Sequence, residues 1–372
     1  MSVSFHIPSR RILVRGTNWL GDAVMTTPAL LRLREKFPDA HIALLSQSKL
    51  TELWQQHPAI NETTPFAIGE SAFAIAKKLR AGKFDLALVL PNSPRSALET
   101  FLAHIPRRVG YSRPWRNFFL TQTVSSRAEA VKMRKRSAGE IRSLITGGKI
   151  GNRKSEIGNS NAHQIHEYLH LAAALGANPE PLAPELTVTL DEIAAARKTF
   201  GLENAAGPIF GLNPGAEYGP AKRWPVENFI TAAKAIQQHT RCTWILFGGK
   251  NDAVLTNQIE SAIGNRQSAI NLAGKTSLRE LMALLKLCRV VLTNDTGPMH
   301  VAAALGTPVV VPFGSTSPEL TGPGRPGDTR HRLLKSDAPC SPCFLRECPI
   351  DFRCMNGLSV ERVVAAVMEA GS

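Results

Sequence analysis

The sequence predicts an α/β protein made of two doubly wound, Rossmann-like domains, each built on a parallel sheet. Short apolar runs alternate with helical patterns in both halves of the chain. The chain has 372 residues, too many for one compact core and enough for two. A proline-rich stretch at 179–184 is a natural linker. We therefore expect a first domain at 1–180, a second at 181–350, and a C-terminal tail and helix at 351–372 that could pack back on the first domain.

The strongest elements have clear signals. In the first half we expect a helix at Ala23–Lys36 and strands at Arg11–Arg15, His41–Leu45 and Phe84–Leu90. In the second half we expect helices at Val226–His239, at Leu278–Leu287 and from about Pro298, and strands at Pro208–Asn213, Thr243–Phe247, Val290–Thr293 and Pro308–Pro312. The two domains should face each other across a cleft lined by the carboxyl ends of both sheets.

Composition narrows the class of partner. The net charge of +14 favours an anionic one, such as nucleic acid, an acidic membrane surface or a phosphorylated glycolipid. Only 6% of residues are aromatic and no recognition-helix or aromatic-interleaved basic pattern occurs, so we expect no nucleic acid. No apolar run reaches the roughly 18 residues of a membrane span, and the first ten residues lack a secretory signal. The expected location is cytoplasmic, or peripheral at the inner face of a membrane.

Residues 127–154 depart from the α/β rhythm. They hold nine basic residues against two acidic ones and run into Gly- and Asn-rich sequence that extends to about 160. The segment is either a solvated, mobile loop or an arm that docks on an anionic surface. The sequence leaves both interpretations open.

Asp22 follows the first predicted strand at the start of a helix. Most Gly-Asp pairs before a helix only cap it. A carboxylate at the carboxyl end of a parallel sheet can also accept a proton from an attacking hydroxyl. Residue chemistry alone favours the cap.

Three later loops combine charge with small residues. Lys222 and Arg223 lie beside a glycine-rich turn, where a lysine can clamp a diphosphate. The backbone N–H groups of Thr296 and Gly297 open a helix and should bind an anion, with Asp295 placed to bond sugar hydroxyls. Asp252 follows Gly248-Gly249 and is a candidate for a ribose diol.

Three runs, Asn18–Met25, Asn213–Pro225 and Asn294–His300, resemble in order and separation the signatures of the bacterial heptosyltransferases. The second run points to type II members over type I. The resemblance implies the GT-B architecture and no cofactor. It also implies inverting transfer of L-glycero-D-manno-heptose from ADP-heptose onto the first heptose of the lipopolysaccharide inner core. Asp22 would be the general base and Lys222 the phosphate ligand, and His300 would be structural.

Two rival functions remain. One is a heptosyltransferase of type I or III, with a different acceptor. The other is a non-catalytic protein that binds nucleotide or a lipid surface, in which Asp22 is only a cap.

Two further groups of residues are candidates for a functional role. The resemblance places the acceptor in the first domain, where we expect an acidic glycolipid to meet Arg107, Arg108, Arg113 and Arg116. Four cysteines have a spacing close to that of compact zinc loops: Cys340, Cys343, Cys348 and Cys354. Reduced, partly buried thiols are the favoured interpretation and a structural zinc ion is the alternative. No metal is expected in catalysis.

Overall fold

The computed structural model describes residues 10–147, 160–203, 205, 207–264 and 268–372. Packing divides the chain into two compact units. The first comprises residues up to 130 together with 164–182, and the second comprises 131–163 together with 183–372. The last point at which the chain crosses from the first unit to the second, between residues 182 and 183, lies inside the proline-rich stretch. The basic segment was expected to lie in the first domain, but from residue 131 onward its described part packs with the second.

The first unit contains a parallel sheet of six strands among its described residues. Their spatial order is β3-β2-β1-β4-β5-β6. The strands are β1 Arg11–Arg15, β2 His41–Gln47, β3 Glu62–Phe66, β4 Leu86–Val89, β5 Arg107–Tyr111 and β6 Gln122–Val124. The helices are Leu20–Met25, Thr27–Lys36, Ala72–Arg80, Pro94–Leu102 and Ile165–Ala173, with single 3₁₀ segments at Ser48–Trp54 and Asn117–Phe119.

The predicted helix at Ala23–Lys36 is broken into two at Thr26. Pro28 has no N–H to donate to the carbonyl of Val24. The Thr27 hydroxyl donates to that carbonyl instead, at 2.8 Å. The first of the two helices is therefore short and ends at Met25. It begins at Leu20, three residues earlier than expected.

The second unit repeats the same architecture, with six parallel strands among its described residues in the order β12-β11-β10-β7-β8-β9. The strands are β7 Ile209–Asn213, β8 Thr243–Leu246, β9 Ala269–Asn271, β10 Val290–Thr293, β11 Val309–Phe313 and β12 Arg332–Lys335. The longer helices are Ala138–Ile145, Leu190–Thr199, Val226–Thr240, Ala253–Ile263, Leu278–Leu287, Gly297–Ala304 and Val360–Ala370. Shorter helical turns lie at Ser160–Ala162, Pro220–Lys222, Lys250–Asp252, Pro318–Thr321 and Arg353–Asn356.

The two sheets confirm the predicted fold class of two doubly wound α/β units. In each, the strand order reverses beside the first strand, between β1 and β4 and between β7 and β10. Loops at the carboxyl ends of strands flanking such a reversal are where this class of sheet binds ligands. The described helices include none that is long and apolar enough to cross a bilayer.

The C-terminal helix, Val360–Ala370, packs on the second unit. It lies against the helix Val226–Thr240 and strands β10 to β12. Val363 and Val367 are fully buried there, on one stripe of an amphipathic helix. Burial of that stripe fixes the tail to the domain that precedes it in sequence.

A buried ion pair holds the end of the central strand of the first unit. Arg15, the last residue of β1, donates from Nε to the carboxylate of Glu99 at 2.8 Å, and both side chains are almost fully buried. The same guanidinium donates to the carbonyl of Gly16 and to Oδ1 of Asn18, at 2.6 and 2.8 Å. It also lies over the ring of Phe66. Arg15 therefore anchors the loop that leads to Asp22.

We predict that Glu99→Gln destabilises the protein by about 3–5 kcal/mol, because the buried Arg15 charge would lose its counter-charge. Arg95 bonds the other carboxylate oxygen of Glu99 from a half-exposed position and provides the control. Arg95→Ala should change the free energy of unfolding by less than about 1 kcal/mol. Urea denaturation measures both, and equal effects of the two changes would contradict the anchoring role of Arg15 and Glu99.

Candidate active site

Asp22 is held by two side chains of the first unit. It is the third residue of the helix Leu20–Met25 and not its cap, a position that Trp19 occupies without a capping side-chain bond. Its Oδ1 accepts a hydrogen bond from Nε2 of Gln164 at 2.9 Å and faces the hydroxyl of Tyr168 at 3.5 Å. The capping interpretation is therefore wrong, and the first helical turn around Asp22 favours a negative charge.

In the second unit, Lys222 and Asp295 form an ion pair. Lys222 Nζ lies 2.6 Å from Asp295 Oδ2, and both side chains are largely buried. The hydroxyl of Thr316 donates to the same oxygen at 2.5 Å, and the ammonium group lies over the ring of Tyr218. The sequence placed Lys222 and Asp295 on separate loops with separate ligands. The structure brings them together as a single charged centre.

Asn294 joins the loops that carry this pair. It is fully buried; its Oδ1 accepts from the backbone N–H of Trp224 at 3.0 Å, and its Nδ2 donates to the carbonyl of Pro214 at 2.7 Å. The side chain thus ties the loop after β10 to both ends of the loop after β7. Sequence reasoning missed this role, and its one available signal was a polar residue directly after a fully apolar strand.

The helix Gly297–Ala304 begins beside Asp295, with Thr296 as its extended N-cap residue. Its first N–H groups have no partner within the helix, so the helix start is suited to an anion. His300 is buried in the same helix. Burial outweighs the neighbouring charge of Asp295 and lowers the pKa of His300 to about 4, so the ring is neutral at pH 7. This fits the structural role implied for His300.

Asp252 lies at the end of the turn that follows β8. Its Oδ2 accepts from the N–H of Gly249 at 2.9 Å, and its Oδ1 is 3.8 Å from Nη2 of Arg223. The Asp252 carboxyl group packs directly on the backbone of Gly215. A side chain at position 215 would collide with it, since a Cβ atom added to Gly215 would lie 2.4 Å from the Asp252 carboxyl carbon. The structure therefore brings Arg223 and Asp252 together at the loop edge, and a ribose diol would have to share the carboxylate with these contacts.

The four arginines expected to meet an acceptor do not cluster. Arg107 and Arg108 begin β5, at the edge of the sheet opposite the site loops. Arg108 donates from Nε to the carbonyl of Phe119 at 2.7 Å and lies over the ring of Phe101, which is a structural role. Because β5 carries Arg107 and Arg108 at its amino end, the four expected acceptor ligands are divided between the two ends of this strand.

Arg113 and Arg116 follow the carboxyl end of β5. Arg116 is fully buried, donates from Nη1 to Oδ1 of Asn92 at 3.2 Å, and has no described partner for Nε and Nη2. Burial, followed by the charge of Arg113, lowers the pKa of Arg116 to about 10, so it remains a cation at neutral pH.

The described part of the basic segment is partly built into the second unit. Arg134 pairs with Glu140. Arg136 is buried and donates from Nε to the carbonyl of Pro342 at 2.9 Å. Lys132 and Lys135 are exposed. Lys149, Arg153 and Lys154 lie outside the described residues. The choice between a solvated loop and a docking arm can therefore be discussed only for the described part of the segment.

The four clustered cysteines lie around one small void. All are free thiols, and Cys348 is the most exposed. Burial, and then the other three sulfurs, raise the pKa of Cys354 to about 12. Among the described residues, no three side chains of the metal-binding types are arranged to hold an ion. The reduced-thiol interpretation stays a prediction, which metal analysis of the purified protein would test.

The fold and its loops are those of a glycosyltransferase. The model of glycosyltransferase family 9 (heptosyltransferase) matches residues 133–352. The chain belongs to this family. It is 32% identical over 329 residues to lipopolysaccharide heptosyltransferase 2 of Salmonella typhimurium, covering 84% of this chain and 85% of that protein. With lipooligosaccharide heptosyltransferase 2 of Haemophilus influenzae it shares 30% identity over 341 residues, covering 88% and 89%.

The solved structure of Escherichia coli ADP-heptose lipopolysaccharide heptosyltransferase II is similar throughout. The TM-score is 0.75 at 28% identity, and the match covers 97% of this chain and 98% of that one. The likeness therefore extends over both units.

Lys222 is expected to clamp a diphosphate. On that expectation we predict that Lys222→Met weakens ADP binding at least about tenfold, because the charge-assisted bond would be lost while the Asp295 carboxylate would remain to repel the diphosphate. Lys250→Met removes an exposed lysine from a neighbouring loop and should change the dissociation constant less than about twofold. Titration calorimetry with ADP measures both.

The double change Lys222→Met with Asp295→Asn should recover part of the affinity, since it also removes the repelling charge. An unaltered dissociation constant in Lys222→Met would mean that the lysine only neutralises Asp295.

Proposed function

We propose that this protein transfers L-glycero-D-manno-heptose from ADP-heptose onto the first heptose of the lipopolysaccharide inner core. The observation that carries the proposal is the centre formed by Lys222, Asp295 and the start of the helix Gly297–Ala304. It places a cation and helical N–H groups at the strand-order reversal of the second sheet, where a nucleotide diphosphate is expected. The names of the related proteins support ADP-heptose as the donor and lipopolysaccharide as the class of acceptor.

The reaction is a single displacement with inversion. The acceptor hydroxyl loses its proton to the carboxylate of Asp22 as its oxygen bonds to the anomeric carbon of the donor. The bond from that carbon to the diphosphate oxygen breaks, and ADP leaves with the electron pair. Negative charge grows on the leaving diphosphate, so Lys222 and the N–H groups of Thr296 and Gly297 stabilise the transition state more than the ground state.

Lys222 must serve two anions in this scheme. Its contact with the buried Asp295 holds the ammonium in place before the donor arrives, which removes part of the entropic cost of ordering a long side chain. Asp295 and Asp252 are the carboxylates that would meet the sugar and the ribose. Arg223 pairs with Asp252 and would orient it.

The acceptor is an anionic glycolipid in this proposal, and the charge of the protein is suited to it. Arg113 and Arg116 lie at the carboxyl edge of the first sheet; Arg113 is partly exposed and would meet the acceptor, whereas Arg116 is fully buried and would contribute its charge only. The exposed lysines of the basic segment would act over a longer range, by steering the glycolipid or an anionic membrane surface.

The substrate assignment is tested by ADP release with acceptors that carry no, one or two heptoses. Release only with the one-heptose acceptor is expected. Preference for either of the others would point to a heptosyltransferase of type I or III. Binding of ADP-heptose without release of ADP would point to a non-catalytic protein.

We predict that Asp22→Asn lowers kcat with the one-heptose acceptor by about 10²–10⁴-fold, because asparagine keeps the size but cannot take the proton. The dissociation constant for ADP should stay the same, since its proposed ligands are in the second unit. Turnover close to that of the parent protein would exclude Asp22 as the base.

We predict that replacing Lys132 and Lys135 together by alanine raises KM for the acceptor at low ionic strength and weakens its salt dependence, while KM for ADP-heptose hardly moves. Lys198→Ala with Lys234→Ala removes the same charge from exposed helical positions of the same unit and is the control. Equal effects of the two pairs would show that only total charge matters.

A further inference from the structure

Three side chains of the first unit form a closed hydrogen-bonded triangle. The amide nitrogen of Gln164 donates to Asp22 Oδ1 at 2.9 Å and to the hydroxyl oxygen of Tyr168 at 2.9 Å. The Tyr168 hydroxyl lies 3.5 Å from the same Asp22 oxygen. An NH₂ group has two hydrogens, so Gln164 can make both bonds at once. The Tyr168 oxygen accepts from Gln164, which leaves its own hydrogen available to donate to Asp22.

Tyr168 remains a hydrogen-bond donor throughout the working pH range. Burial, and then the negative charge of Asp22, raise its pKa well above the ordinary value for tyrosine. Of the other charged groups acting on Tyr168, Glu167 adds to that rise. Glu167 is itself paired with Arg127. A neutral phenol and a neutral amide therefore face one oxygen of a carboxylate, and both stabilise its ionised form.

The helix Ile165–Ala173 makes a rigid support for the triangle. It packs against the helix Thr27–Lys36, and Ile165, Leu169 and Leu171 are buried. The Tyr111 hydroxyl donates to the carbonyl of Glu167 at 2.8 Å from strand β5. Gln164 and Tyr168 are four residues apart, so they project from the same face of this helix toward Asp22.

We propose that Gln164 and Tyr168 are positioning residues for the base, fixing one oxygen of the Asp22 carboxylate and keeping the group ionised while its acceptor is bound. The inference rests on the proposed role of Asp22. Neither residue touches the reacting atoms in this scheme. Their effect is on the orientation and basicity of the group that does.

The test is the pH dependence of kcat/KM for the acceptor, measured with saturating ADP-heptose. Removing a donor from a carboxylate destabilises its charged form, so the pKa of Asp22 rises and activity is lost at the acidic side first. Gln164→Leu should move the acidic limb upward by about one pH unit, and Tyr168→Phe by less because its bond is longer. The loss relative to the parent should be greatest at pH values on the acidic limb and should fall away at pH 8.

Tyr111→Phe is the matched control, because it removes a hydroxyl that bonds the same helix without touching Asp22. It should leave the acidic limb in place, whatever it does to stability. Rescue of both rate and limb position by the conservative Gln164→Asn would be partial at best, since the shorter side chain reaches less far.

A pH-independent loss in Gln164→Leu and Tyr168→Phe, or a limb unchanged from that of the parent, would overturn the inference. If Gln164→Leu does not fold, by the criterion of its urea-unfolding midpoint, Tyr168→Phe decides the question. Failure of the proposed function is separate: Asp22→Asn would then keep its activity, with or without an effect of the two supporting residues.

Discussion

Parallel pairing of all the described strands is the constraint on which the rest of the molecule depends. In a parallel sheet the carboxyl ends of all strands lie along one edge. Each of the two sheets has one reversal of strand order, beside β1 and beside β7, and the reversal leaves room for a ligand at that edge. Residues far apart in sequence are brought together there by the sheet alone. Lys222 and Asp295 are 73 positions apart by their numbers, and they share one hydrogen-bonding centre because β7 and β10 are neighbours.

At both reversals a buried polar side chain converts this topology into a fixed site. Arg15 in the first unit and Asn294 in the second each bond backbone carbonyls of the loops beside them. Such groups are costly to bury unless every bond is made. The free-energy cost of burying Arg15 and Asn294 is offset only when the loops adopt the one conformation in which these hydrogen bonds form. The loops that carry Asp22, Lys222 and Asp295 are therefore held in place before any substrate binds.

The sequence predicted seven of the eight inner strands that the structure describes and missed the edges; the inner strand that it missed is β5, which begins with two arginines. β3, β6, β9 and β12 are the outermost strands of the two sheets, and none was predicted. A central strand is buried on both faces and reads as an apolar run, whereas an edge strand such as Glu62–Phe66 is largely exposed and has no such pattern. The loop residues named from motifs do lie at the predicted edge, with the exception of Arg107 and Arg108. Their partners were not predictable, because Gln164, Tyr168 and Thr316 belong to no local pattern and meet the site only through the fold.

The placement of residues 131–163 bears on how such a protein can evolve. The described part of this segment packs with the second unit, yet it is encoded between two parts of the first. A single recombination event in the proline-rich stretch would carry it into a hybrid beside a foreign second unit, where contacts such as that of Arg136 with the Pro342 carbonyl would have to form anew. A fragment that ends at residue 130 would lack the helix that holds Asp22. Exchange of one unit between relatives therefore needs three junctions, and the two halves are expected to be inherited together.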